Sequence, residues 1–188
     1  MEIRKLNSEE IAQLHENHMQ VDFPASELKP LSVILDSCEK GFYCVEGFFH
    51  NDSLIAYACL AAVPGEPEHP VLLDYLAVVR GHRDEGWGSR VLEVLQQVYP
   101  HGILIECEAV QTSQDPEDRA NRERRIRFYT KNGAVLQPFD VTLFSVRFSI
   151  LQLGGKDHPN ARENMLNLYR VILGEDRMRE HMTVHISK

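Results

Sequence analysis

The sequence predicts an α/β fold of the α+β kind, a mixed, mostly antiparallel central sheet flanked by helices. Two helical patterns are followed by two strand-like runs joined through Asn51-Asp52, a dipeptide suited to a tight hairpin. Further on, an apolar run from Val71 to Val79, an amphipathic helix from Trp87 and a second apolar run from Ile103 form a strand–helix–strand unit. Parallel neighbours need such a crossover. The chain has 188 residues, of which 43% are hydrophobic and 26% charged, a size and composition that bury a core without disulfides or metal.

Each element has a local cause. Glu2 to Lys5 opens as a short strand, and Ser8 is a candidate N-cap for a helix with Ile11, Leu14 and Met19 on one face. Leu28, Leu31, Leu35 and Cys38 mark a second helix that Gly41 ends. The runs FYCVEGFFH and SLIAYACLAAV are the hairpin strands, and Pro64 to Pro70 is too rich in proline for regular structure. The helix from Trp87 carries Val91, Leu92, Leu95, Val98 and Tyr99 on one stripe before Pro100 and Gly102. Ile103 to Val110 reads as a strand, and Asp118 to Lys131 as a basic, thinly apolar helix capped at Asn132-Gly133. Short strands follow around Val135 and from Thr142 to Leu151, then a helix from Pro159 to Leu173 bearing Met165, Leu168, Tyr169 and Ile172. Glu175 to Lys188 shows no strong pattern and reads as a loosely held extension. Residues 1–153 are expected to form the core, with 154–188 a helical extension of the same domain.

The net charge of -8 disfavours a general nucleic-acid binder. No apolar run reaches the ~20 residues that span a bilayer, and MEIRKLNSEE lacks a secretory hydrophobic segment, so a cytoplasmic location without membrane contact is expected. Cys38, Cys44, Cys59 and Cys107 show no CxxC spacing and read as small buried hydrophobes. His15 and His18 share a helical spacing, but no third ligand lies near them, so no metal is expected.

The most informative stretch is RGHRDEGWGSRVL, Arg80 to Leu92, directly after VLLDYLAVV. Gly86 and Gly88 stand where a strand turns into a helix, and amides gathered at a helix N-terminus attract phosphates. With its context, YLAVVRGHRDEGWGSRVLEVL resembles motif A of the GNAT N-acetyltransferase superfamily. RRIRFYTKNGA, Arg124 to Ala134, resembles that family's motif B. The element order agrees with the family's core over roughly the first 150 residues. The resemblance implies a sheet splayed between two central parallel strands, direct acetyl transfer from acetyl-CoA to a primary amine of a small molecule or peptide, and no metal. It leaves a homodimer open.

By that resemblance the strand backbone at Leu76, Ala77 and Val78 holds the pantetheine arm. Arg83, Asp84, Glu85, Gly86, Trp87, Gly88 and Ser89 hold the pyrophosphate, with Val78 also donating to the thioester oxygen. Asp84 and Glu85 depart from the neutral or basic residues of many relatives. Asn121, Arg122 or Arg125 would meet the adenosine phosphate. Tyr129 falls on the tyrosine that protonates the departing thiolate, and its alternative is a core tyrosine beside Phe128 and Ile126. A base for the amine is ranked Glu106, Glu108, then Asp74. Alternation puts both glutamates on one face of their strand and Asp74 on the face of Leu76 and Val78. Both glutamates could equally face water or pair with the following arginines. Two other readings stay open, an acyl-CoA sensor without turnover and an RNA-binding domain using Arg119 to Arg127.

Overall fold

The computed structural model describes residues 1–155 and 160–186. Its elements are β1 (Glu2–Lys5), α1 (Ser8–Leu14), a π turn (His15–Met19), α2 (Gln20–Asp22), α3 (Leu31–Glu39), β2 (Tyr43–His50), β3 (Ser53–Ala61) and β4 (Val71–Val78). Then come α4 (Trp87–Val98), β5 (Ile103–Glu108), α5 (Pro116–Lys131), β6 (Val135–Leu143), β7 (Val146–Leu153), α6 (Ala161–Leu173), α7 (Glu175–His181) and β8 (Met182–Ile186). The eight strands form one sheet in the order β1-β2-β3-β4-β5-β7-β6-β8. Every pairing is antiparallel except β4 with β5.

Alternating strand residues feed two cores. Leu72 and Leu104 pack with Ile11, Ile34, Met165 and Leu168 beneath α1, α3 and α6. Leu73, Ile103 and Ile105 pack with Val91, Leu92 and Leu95 beneath α4. Each fully buried Val or Leu on that α4 stripe stabilises by about 1.5–3 kcal/mol, which fixes α4 against the sheet. Val98, expected on the stripe, is 44% exposed.

Several boundaries differ from the sequence expectation for local reasons. The N-cap of α1 is Asn7, which forms a reciprocal capping box with Glu10 (3.0 and 2.9 Å). α3 starts only after Pro30, leaving Leu28 outside it. α5 begins at Pro116, because Asp115 caps the amides of Glu117 and Asp118 and proline suits the first helical position. Asn51 and Asp52 do form the hairpin turn, both with positive φ. A second turn of that kind falls at Phe144 and Ser145 and splits the run expected as one strand from Thr142 to Leu151. The tail is ordered: α7 leads into β8, which lies antiparallel on β6 from Phe139↔Ile186 to Leu143↔Met182. Pro159, the expected start of the last helix, lies outside the described residues. Cys59 and Cys107 are buried, whereas Cys38 and Cys44 are partly exposed.

Candidate active site

β4 and β5 pair over only three rungs, Val71↔Ile103 to Leu73↔Ile105. Beyond them β4 stays on β3 as far as Val78, and β5 stays on β7 as far as Glu108. A cleft therefore opens in the sheet between two strands that should be neighbours. The first residues past the last rung are Asp74 and Glu106.

A bulge re-aims Asp74. Cys59 faces Tyr75 and Leu60 faces Leu73, so Asp74 is the extra residue on β4. Simple alternation placed it with Leu76 and Val78, which belong to the α4 side. The extra residue instead turns Asp74 toward Tyr43, on the α1–α3 side with Tyr75. Lys29 Nζ reaches both of its oxygens at 2.5 and 2.7 Å, and Tyr43 Oη donates to it as well.

Glu106 and Glu108 share a face of β5, as alternation requires, but their surroundings differ. Glu106 accepts from Tyr169 Oη, and burial above all raises its carboxyl to about 7, against the opposing effect of that hydrogen bond. Such a group exchanges protons near neutral pH. Glu108 is taken by Arg122 at 3.2 Å. The same guanidinium donates to Ala109 O and Thr112 Oγ1 and pairs with Asp118, so Arg122 ties the β5–α5 connection together.

On the other side of the cleft lies the strand-to-helix turn. Val79 N donates to Ile55 O at 2.8 Å, which makes that pair the hydrogen-bonded one and Ala56↔Val78 the non-bonded one. The main-chain groups of Val78 and Leu76 consequently face away from β3, toward the cleft, while those of Ala77 are spent on β3. Arg83 Nε donates to Val78 O (3.0 Å) and its Nη2 to Asp22 (2.5 Å). Arg83 is thus occupied within the protein, pinning the turn to the end of α2.

Asp84 and Gly86 both have positive φ, 66° and 78°, so the chain coils tightly into α4. Gly86 is the N-cap and supplies no side-chain acceptor, leaving the amides of Trp87, Gly88 and Ser89 without an intrahelical partner. Asp84 is exposed, and Glu85 accepts from Trp87 Nε1 at 2.8 Å. The Glu85 carboxylate is accordingly occupied beside the turn. Gly88 has a packing reason: a Cβ there would stand 3.1 Å from the Phe128 ring. Gly88→Val should cost about 1–3 kcal/mol by overpacking α4 against α5, measurable by urea unfolding.

Tyr129, on α5, is buried beside Phe128, ring centroids 5.1 Å apart. Among the described residues its hydroxyl has no hydrogen-bond partner, and burial raises its pKa, with the nearby Cys107 adding to the effect and Arg125 opposing it. Leu76, Val78 and Cys107 belong to the same core as Tyr129, whereas Glu106 bonds Tyr169 on the opposite face. Acid and base candidates thus approach the cleft from opposite faces. Asn121 and Arg125 are exposed, as are Arg119, Arg124, Arg127 and Lys131.

The sequence model of the acetyltransferase (GNAT) family matches residues 9–134. The chain belongs to the GNAT acetyltransferase family. Solved structures agree at the level of fold. A protein from Bacteroides thetaiotaomicron assigned to the GNAT family superposes with a TM-score of 0.74 at 17% identity, covering 93% of this chain and 99% of that one. The ribosomal-protein-S18-alanine N-acetyltransferase from Escherichia coli gives 0.57 at 15% identity, covering 81% and 92%. A variant of the spermidine N-acetyltransferase from Vibrio cholerae gives 0.59 at 10%, covering 86% and 99%. No curated protein matches in sequence.

Sequence reasoning missed several groups that shape this GNAT cleft. Lys29 and Tyr43 meet at Asp74 across 45 and 31 residues, and Tyr75 Oη accepts from Lys29 N across 46. Tyr169, read only as a core residue, is the partner of Glu106. Asp22, its side chain 3% exposed, joins Arg83 to Tyr57 Oη (2.9 Å). No local pattern signals these long-range pairs.

Proposed function

We propose that the protein transfers an acetyl group from acetyl-CoA directly to a primary amine of a small molecule or peptide. The observation that carries this reading is the break in β4–β5 pairing after Leu73↔Ile105, with Glu106 the first residue of β5 beyond it. Across it lie the outward main chain of Val78 and the uncapped amides of α4.

Acetyl-CoA is expected to lie with its pyrophosphate on the amides of Trp87, Gly88 and Ser89 and its pantetheine along Leu76 and Val78. An acceptor amine arrives protonated, and Glu106 takes its proton. The neutral nitrogen attacks the thioester carbonyl while Val78 N–H donates to the oxyanion. Collapse of the adduct breaks the carbon–sulfur bond, Tyr129 protonates the leaving thiolate, and the proton still carried by the acylated nitrogen returns to the tyrosinate, which leaves a neutral amide. Cys107 is a poor nucleophile for a covalent route, since burial pushes its thiol up to about 12. Asp84 and Glu85 keep their charges beside the turn, and because both are exposed, solvent and salt screen their repulsion of a pyrophosphate.

Binding is tested first. A ligand at 100 times its dissociation constant stabilises by about 2.7 kcal/mol, so acetyl-CoA should raise Tm by roughly 5–10 °C. Thiol release in a screen of polyamines, amino sugars and peptide N-termini then reads turnover. Absence of a Tm shift at millimolar acetyl-CoA overturns the coenzyme reading, and a shift with no thiol release for any amine leaves a coenzyme-binding module instead.

A further inference from the structure

Lys29 is held at three points. Its N–H donates to Tyr75 Oη (3.0 Å), its carbonyl lies 3.1 Å from His15 Nε2, and its ammonium bridges both oxygens of Asp74. Tyr75 Oη also donates to Glu27 O (2.7 Å), so two neighbouring main-chain groups of the segment before α3 are clasped onto β4. The ammonium lies 5.1 Å from the Tyr75 ring centroid. It is therefore fixed at the bulge, where β4 parts from β5.

We propose that Lys29 is a positioning residue for the Glu106 base, neutralising Asp74 at the break so that the two carboxylates do not compete for one proton. The inference rests on Glu106 being the base. Asp74 and Glu106 are the first residues past the last shared rung, one on each strand. Two carboxylates so placed cannot both ionise cheaply, and a shared proton would belong to the pair. The groups facing them are Lys29 from the loop, Tyr43 from β2, Cys59 from β3, Tyr75 from β4 and Tyr169 from α6. Lys29 is the sole cation among them, since Arg122 is committed to Glu108 and Asp118. Burial is the largest influence on Glu106. After the Tyr169 hydrogen bond, the charge of Asp74 raises its proton affinity and that of Lys29 lowers it.

The two charges make predictions of opposite sign. Titrating the full chain, labelled with carboxyl-13C glutamate and with the Glu106 resonance assigned through Glu106→Gln, needs no acceptor. The wild-type midpoint is expected at about 7. Lys29→Met should move it up by about one pH unit, Asp74→Asn should move it down by a similar amount, and the double variant should return it near wild type. Lys29→Arg should leave it close to wild type. Midpoints that stay put, or that move in the same direction in both single variants, overturn the proposal. Should Asp74→Asn fail to fold, Lys29→Met alone decides: an upward midpoint supports the role and any other result removes it. Failure here is distinguishable from failure of the base assignment, which is read by turnover of Glu106→Gln.

Discussion

Glu106→Gln should lower kcat by about 10²- to 10⁴-fold while leaving the acetyl-CoA-induced Tm shift intact. Glutamine keeps the shape and still accepts from Tyr169, but it cannot take the proton that makes the amine nucleophilic. The same substitution should stabilise the fold at alkaline pH. Glu106 is raised from its ordinary range to about 7, so its favourable contribution is complete below the unfolded carboxyl pKa and is lost as pH rises through about 7. Above that, wild type carries a buried charge that the glutamine variant lacks. The variant's advantage should be small at pH 5 and on the order of 2 kcal/mol at pH 8, measured by urea unfolding. Opposite effects on turnover and stability would mark Glu106 as a site residue. Undiminished turnover would remove it from the base role, whatever the stability result.

The parts of this fold that were legible in the sequence are those fixed by neighbours along the chain. Asn51-Asp52 announces a hairpin because asparagine and aspartate tolerate the left-handed region its two central residues need. Phe144 and Ser145 adopt the same region without either signal, which is why the second of the two expected strands was begun at Thr142, before the turn that joins β6 to β7. β8 was illegible for another reason. Met182 to Ile186 is a short edge strand whose partner, Phe139 to Leu143, lies some forty residues back, and pairing rather than propensity orders it.

The candidate site divides along the same line. The turn from Val78 into α4 could be read because its phosphate-cradle character is local: a strand, glycines, then a helix. Even there the two glycines differ in a way only packing reveals, Gly86 being required by φ and Gly88 by the Phe128 ring. The chemical surroundings of Glu106 were not readable, since Tyr169 lies 63 residues away and Lys29 reaches Asp74 across 45. One inserted residue in β4 reversed the face expected for Asp74, because a period of two inverts at a bulge.

Tyr129→Phe should reduce kcat by roughly 10²-fold or more, with acetyl-CoA binding and Tm nearly unchanged. The expectation follows from what the hydroxyl lacks. Its ring is part of the core beneath α4 and α5, packed on Phe128, and phenylalanine preserves that packing. The hydroxyl, however, has no hydrogen-bond partner among the described residues and lies where burial disfavours its ionised form. The phenol is protonated at neutral pH and so holds a proton to give to a thiolate, with burial making it the weaker acid for that step, and its removal forfeits no hydrogen bond among the described residues. A tyrosine that served packing alone would leave both kcat and Tm unchanged when trimmed to phenylalanine. One whose hydroxyl anchored the fold would lower Tm by several degrees. Only the acid role predicts loss of turnover at constant stability, and thermal unfolding beside thiol-release kinetics on the same preparation separates the three.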